Sequence, residues 1–502
     1  MSLLQGQQIR LGAFWSYAGQ VYLTAGHFIV GVLLARLLGP GDFGVFIAVT
    51  AFTSVFLMGV QFGLPAAILQ ARELEDRHAD AAFWTMTGLG VVFLGIAAVV
   101  AGPLSTLYDD ARFIGVMLWM AGTFLLTPYT AVGLALLRRR MQFDHVARIE
   151  MISFTATAPI ALTVALSGGG VYALVLGAYA GMLINAVLIG RRLRWRPSRP
   201  CLAPVKALLG YSGYMTVNNL LHFATARVDS MLVGARLGTA PLGLYNRAYS
   251  LARMPSDQFG ESLGPLMVGS LSRIQDDIDR SRSLYFKAVS AISVVTAPFL
   301  AVLLVAGPMA IELLYGSQWS GAGDPLRVMV AGALFVMLTL TLRGLISAQG
   351  LVKQLIPVNV VALLLTAAVV VILSPWGLIA ISAGISVREA IVFFGMVRVL
   401  GRSRLRLRLA EVLHAAAPAL LAASAALPGG LAALRYGRVL GLGDGLAMLL
   451  LVAAAVFFCY SVAILALMVL WRSHAPLGNT RGLLLDAMRT LLRRMRLRPR
   501  AA

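Results

Sequence analysis

Residues 242–263, LGLYNRAYSLARMPSDQFGESL, carry the reading that decides the fold. Their polar side chains fall at Asn246, Ser250, Arg253, Asp257 and Glu261, in steps of four, three, four and four. Such steps keep side chains on one face of an α-helix. Leu244, Ala248, Leu251, Ala252, Phe259 and Leu263 fill most of the remaining circumference. A charge at the centre of a membrane helix costs roughly 2.5–3.5 kcal/mol. Three charges on one stripe therefore fit only a face turned towards water or protein. The preceding stretch, 207–235, reads as another span, with Arg227 and Asp229 near its distal end, where Arg247 can meet them. The two spans read as the wall of a polar cavity inside a membrane bundle.

The rest of the chain agrees. Of its 502 residues 59% are hydrophobic and 13% charged, where a soluble domain carries about 25% charged residues. Apolar runs of about 20 residues recur throughout, the signature of a polytopic all-α membrane protein. About fourteen transmembrane helices are expected, near 12–36, 43–69, 81–102, 112–136, 147–167, 171–190, 207–235, 242–272, 284–308, 326–349, 352–374, 376–399, 411–431 and 446–471. The first reads as an uncleaved anchor. The formal charge of +21 is spread over short loops, which argues against nucleic acid and for topology signals and anionic lipid heads. Two cysteines, Cys201 and Cys459, supply neither a disulfide framework nor a thiolate metal site. No cofactor is expected.

Basic connections alternate with nearly neutral ones. Arg138–Arg140, Arg191–Arg196, Arg273–Lys287 and Arg402–Arg408 belong to one set; Ser167–Gly170 and Ser374–Gly377 belong to the other. Basic loops on the cytoplasmic side place both termini in the cytoplasm. All outer connections are short, so the chain offers no extramembrane domain for catalysis and reads as a non-enzyme. The tail, with Leu483, Leu484, Ala487, Met488, Leu491, Leu492 and Met495 on one helical face among arginines, is expected along the inner membrane surface.

An internal repeat is visible. Gly39-Pro40-Gly41-Asp42-Phe43-Gly44 stands against Gly238-Thr239-Ala240-Pro241-Leu242-Gly243, and Leu64-Pro65 against Leu263-Gly264-Pro265. The expected organisation is a six-helix lobe at 1–190, a basic linker at 191–206, a second six-helix lobe at 207–400, two added helices at 401–475 and a basic amphipathic tail at 476–502. Transporters built from such repeats bind cargo between the halves, near the membrane midplane.

Charge sits in the second copy only. The positions in span two that match the stripe are Ile47, Ala51, Ser54, Met58 and Phe62. Arg253 and Arg247 present planar donor forks suited to phosphate oxygens, and with Arg227 and Asn246 they are the candidate substrate-binding residues. Asp257 and Glu261 either pair with these arginines or titrate; with Asp229 and Glu389 they are the candidates for ion coupling. Other intramembrane charges are Arg343 and the adjacent Arg388-Glu389, of which at most one aims squarely at a cavity, since neighbours on a helix diverge by about 100°. His27 reads as a hydrogen-bonded core residue, and Trp15, Tyr17 and Tyr22 as packing or interfacial residues. Pro65, Pro128, Pro255, Pro265 and Pro357 mark expected kinks.

Leu33–Gly44, Gly63–Gln70, Val228–Gly234 and Leu242–Tyr249 resemble the corresponding parts of bacterial exopolysaccharide and O-antigen flippases. These form the polysaccharide transporter family of the multidrug, oligosaccharidyl-lipid and polysaccharide exporter superfamily. The resemblance covers roughly residues 10–400. It implies two six-helix lobes in a V around a central cavity, and a lipid-linked oligosaccharide, attached through undecaprenyl diphosphate, moved from the inner to the outer leaflet of the cytoplasmic membrane. It also implies coupling to H+ or Na+, and contacts with membrane lipids and with polysaccharide polymerase and export proteins. The alternatives are a lipid-linked peptidoglycan precursor flippase, a multidrug exporter, and a membrane glycan polymerase or ligase.

Overall fold

The computed structural model describes residues 2–71, 74–193, 195–198 and 227–470, which are helical and contain no strand. The first helices are α1 (Ser2–Leu37), α2 (Pro40–Gln61), α3 (Leu64–Gln70), α4 (Asp76–Leu107), α5 (Arg112–Arg139), α6 (Phe143–Leu166) and α7 (Tyr172–Arg192). Helix α8 is described over 227–237. Then follow α9 (Thr239–Ser272), α10 (Ile278–Tyr315), α11 (Gly323–Ala348), α12 (Leu355–Leu373), α13 (Gly377–Gly401), α14 (Leu409–Val439) and α15 (Leu446–Leu470). Eleven described stretches are long and apolar enough to cross a membrane, and one of them, Val352–Gly401, contains both α12 and α13. Most of the expected seventh span, Cys201 and the amphipathic tail lie outside the described residues.

The helices group into two compact units, Met1–Asn246 and Arg247–Ala502. In the first, α1 packs on α6 through glycines: a Cβ on Gly26 would lie 2.3 Å from the Phe154 ring. His27 donates from its ring to the Leu23 carbonyl one turn back, at 2.6 Å, and its ring lies 4.4 Å from that of Phe154. It is hydrogen-bonded as expected, but it is exposed and so is not the core residue the sequence suggested. The start of the basic linker is fastened rather than loose. Trp195 donates to Asp80 of α4 at 2.9 Å, Ser198 bonds the other Asp80 oxygen, and the Trp195 ring stacks on Tyr129 of α5.

The expected second span, 43–69, is not one helix. Phe62 and Gly63 both have positive φ, 42° and 69°, which ends α2 and starts α3. Pro65 sits in the first turn of α3, where the N–H it lacks would have no partner anyway. It therefore marks a helix start and not a kink. Pro357 is likewise in the first turn of α12, whereas Pro128 lies inside α5 and Pro255 inside α9.

Two helix starts cross in the first unit. Pro40 opens α2 after Leu38 and Gly39, and Thr239 opens α9 after Gly238, whose φ of 89° ends α8. A Cβ on Gly44 would lie 1.7 Å from the Thr239 carbonyl oxygen, and one on Gly243 would lie 2.1 Å from that of Pro40. Each glycine thus seats the other helix's opening residue, at a backbone approach no larger residue permits. Arg112 of α5 secures the same corner: it binds Asp42 at 2.6 Å and Asp110 at 2.8 Å, and Asp110 accepts from Thr239 at 3.2 Å.

In the second unit, one core joins α10, α11, α13 and α14 through residues such as Tyr285, Met337, Leu342, Phe393 and Ala416. Another joins the last two helices to α10. Ala297 and Ala301 face Ala419 and Ala422, with Val452 and Val456 from α15 closing the layer. Ser290 donates to the Ala415 carbonyl and Tyr460 to that of Val294, both at 2.9 Å.

Candidate functional site

The charged stripe of α9 meets partners in the second unit. Arg253 binds Asp257, one turn on, at 3.2 Å, and donates to the Tyr249 hydroxyl, one turn back, at 2.8 Å. Its second face meets Glu389 of α13 at 3.8 Å, while Arg388 folds back to hold the same Glu389 oxygen at 2.6 Å. Arg343 of α11 lies within electrostatic reach of Glu389, Arg253 and Arg388. Three helices, α9, α11 and α13, therefore converge on one buried network. Among the described side chains it contains three guanidinium groups and two carboxylates. The Glu261 side chain lies outside the described residues.

Burial is graded across the network. The side chains of Arg388 and Glu389 are 12% and 9% exposed, against 24% for Arg253 and 43% for Asp257. Glu389 is the deep counterion and Asp257 the accessible one. Beside them lies a narrow crevice of about 10 Å³ between α9, α11 and α13, lined by Tyr249, Arg253, Ser386 and Glu389 on its polar side.

The other sequence candidates lie elsewhere. The Asp229 carboxylate, 7% exposed, accepts from Tyr245 at 3.0 Å and from the Ser230 amide at 2.7 Å, within the first unit. Asn246 and Arg227 are half-buried. The Arg247 guanidinium stacks over the rings of Tyr315 and Trp319, at 5.3 and 5.7 Å from their centres, contacts worth about 0.5–2 kcal/mol each. No cluster of three or more metal-ligating side chains occurs among the described residues.

Residues 33–324 match the family described as "Polysaccharide biosynthesis protein". The chain belongs to this family. Within the polysaccharide biosynthesis proteins it is 23% identical over 387 residues to an uncharacterized membrane protein in the cps region of Klebsiella pneumoniae, covering 75% of this chain and 79% of that one. It is 26% identical over 319 residues to the succinoglycan biosynthesis transport protein ExoT of Rhizobium meliloti (strain 1021), covering 63% of this chain and 64% of that one. Among solved structures, the lipid II flippase MurJ in an inward closed conformation has a TM-score of 0.73 at 12% identity, covering 92% of this chain and 99% of that one. At that identity the likeness is one of fold.

The family match takes in the whole of α9 but ends before Arg343, Arg388 and Glu389. The network of this polysaccharide biosynthesis protein is thus completed by residues beyond the matched region. At most one of Arg388 and Glu389 was expected to aim squarely at a cavity; of the two, Glu389 lines the crevice beside Arg253, and both join the charged network. The long Arg388 side chain reaches around its own helix to the carboxylate that also faces Arg253, so both belong. Tyr249 was missed as a partner, although it sits four residues before Arg253 on the same face, the spacing at which helical side chains meet. Tyr315 and Trp319 carry no local signal, since only the tertiary fold brings them to Arg247.

Proposed function

We propose that this protein is a flippase that moves undecaprenyl-diphosphate-linked oligosaccharide repeat units from the inner to the outer leaflet of the bacterial cytoplasmic membrane, for exopolysaccharide, O-antigen or capsule synthesis. The observation that carries the reading is the network of Arg253, Arg343 and Arg388 around only two described carboxylates, inside helices of a membrane fold. A diphosphate cannot cross hydrocarbon bare. Buried guanidinium groups replace its hydration with charge-assisted, two-pronged hydrogen bonds. Arg253 is the main diphosphate contact. Arg247, Arg227 and Asn246 extend the path, and the carboxylates Asp257, Glu389, Asp229 and Glu261 are the candidates for coupling to H+ or Na+.

In this reading the chain has fourteen spans and both termini in the cytoplasm. Its lobes at 1–190 and 207–400 descend from one duplicated unit. The reciprocal seating of Gly44 on Thr239 and Gly243 on Pro40 supports that descent, because the contacts exchange under the repeat alignment. The protein itself does no glycan chemistry, and polymerase and export proteins act on its product. A cysteine at Arg192 is expected to resist an impermeant reagent added outside intact cells; labelling there would remove the fourteen-span topology.

The decisive experiment uses Arg253 variants in cells and in vesicles holding the lipid-linked glycan. Arg253→Ala is expected to abolish export and leave the glycan in the inner leaflet. Arg253→Lys, a point charge without the fork, is expected to impair transport at near-normal protein abundance. Recovery of export in an Arg253→Ala/Asp257→Ala variant would reduce Arg253 to an ion pair that holds α9 in place, and would overturn its assigned role.

A further inference from the structure

The hairpin of α12 and α13 carries a groove of about 570 Å³, within the range of about 300–1,000 Å³ typical of small-ligand sites. Its walls are Val358, Val361, Ile391 and Val392, and Gly395 forms part of its floor. Val361 and Ile391 are 46% and 41% exposed, so the trough opens outward. At its mouth stand Lys353, Arg398 and Arg402. All three are exposed, and their side chains form no ion pair or hydrogen bond among the described residues.

The groove is separate from the Arg253 network. Arg398 follows Glu389 by nine residues, which at 3.6 residues per turn sets it about 180° around α13. Ile391, Gly395 and Arg402 fall near the same side as Arg398. The three cations also share one end of the hairpin, where α12 begins at Leu355 and α13 ends at Gly401. In a hairpin that spans a membrane, the helix ends fall at the membrane–water boundary, where long basic side chains reach for phosphate while their stems lie on apolar surface.

We propose that this groove binds one anionic glycerophospholipid, with an acyl chain along the valines and the headgroup phosphate among Lys353, Arg398 and Arg402. Charge complementarity selects the occupant: a zwitterionic lipid brings its own cation to a mouth that already holds three. The proposal requires only that the hairpin crosses a membrane, and stands or falls independently of the flippase reading. With basic loops in the cytoplasm, the lipid belongs to the inner leaflet.

The test places the full-length protein in phosphatidylcholine nanodiscs with a trace of phosphatidylglycerol bearing a photoreactive acyl chain, and maps the cross-links by mass spectrometry. Cross-links are expected to concentrate on Val358, Val361 and Ile391, and to be displaced by unlabelled phosphatidylglycerol but not by phosphatidylcholine. A Lys353→Gln/Arg398→Gln/Arg402→Gln variant is expected to lose roughly tenfold in labelling. Gly395→Leu keeps every cation and fills the trough, since a Cβ there would already lie 3.4 Å from Val358; it is expected to lose labelling as well. Cross-links spread evenly over the lipid-facing helices would overturn the proposal. So would equal labelling by a phosphatidylcholine probe, or labelling unchanged in both variants. Displacement by a polyprenyl diphosphate as readily as by phosphatidylglycerol would also overturn it, because the groove would then be a cargo site.

Discussion

Helices α2 and α9 begin alike and end differently. Each opens just after a glycine and seats a glycine, Gly44 or Gly243, on the first residue of the other. Beyond that shared corner, α2 presents Ile47, Ala51, Ser54 and Met58 and stops at the left-handed Phe62. At the matching steps α9 presents Asn246, Ser250, Arg253 and Asp257, and continues to Ser272. Backbone geometry tolerates either sequence. What differs is the surroundings: Arg253 has Tyr249, Asp257 and Glu389 around it, whereas Ser54 satisfies itself on the Thr50 carbonyl of its own helix. Charge on a membrane helix is thus a property of the neighbours as much as of the helix.

The strongest way to break that contrast is to take away a neighbour. Glu389→Ala leaves Arg388 and Arg253 without their shared carboxylate. Losing one partner of a buried pair costs about 3–5 kcal/mol, so a steep fall in protein abundance and melting temperature is expected; Glu389→Gln is expected to lose less. Normal stability of Glu389→Ala would mean that water, and not protein, compensates these arginines.

The converse change puts charge where no partner waits. Ser54→Arg in α2 is expected to lower membrane yield, with an insertion penalty of roughly 2.5–3.5 kcal/mol. If it inserts and folds as well as the parent protein, α2 must also border a polar space. The shared corner gives the next effect down. Gly44→Ala and Gly243→Ala should each destabilise the protein by about 1–3 kcal/mol through overpacking, read as lower melting temperatures of similar size. A tolerated Gly243→Ala beside a damaging Gly44→Ala would end the equivalence of the two helix starts.

Most of the helix layout was legible because glycine, proline and polar clusters interrupt long apolar runs. Gly168 and Gly170, both with positive φ, close α6 and precede α7 where the Ser167–Gly170 loop was expected, and α12 through α15 begin and end within a few residues of the expected spans, apart from the end of α14. The break after α2 was not legible, since phenylalanine rarely takes the left-handed conformation and gives no warning of it. The α9 stripe and its Arg253–Asp257 pair follow from helical spacing alone. The rest of the network depends on which helices become neighbours, and on a side chain long enough to turn back on its own helix, as Arg388 does.

The smallest expected effect lies at the corner itself. Asp110 loses hydration by burial, which raises its pKa, but the bonds from Arg112 and Thr239 outweigh this and hold the carboxyl below its ordinary value. A depressed carboxylate contributes stability above its unfolded pKa, near 4, and that stability is lost as pH falls through the folded value. Asp110→Asn should therefore cost about 1 kcal/mol at neutral pH and next to nothing in strong acid, as thermal unfolding at a series of pH values would read. An equal loss at every pH would remove the charge from the explanation.

The stacking of Arg247 on Trp319 has an optical consequence. Trp319 is fully buried, with Tyr315 beside it and a guanidinium over its face. Indole emission responds to the field of a charge held against the ring, so this tryptophan is a built-in gauge of where Arg247 of α9 stands relative to the end of α10. A variant with the other six of its seven tryptophans replaced would turn any displacement of that arginine into a change of colour or brightness, with no dye attached.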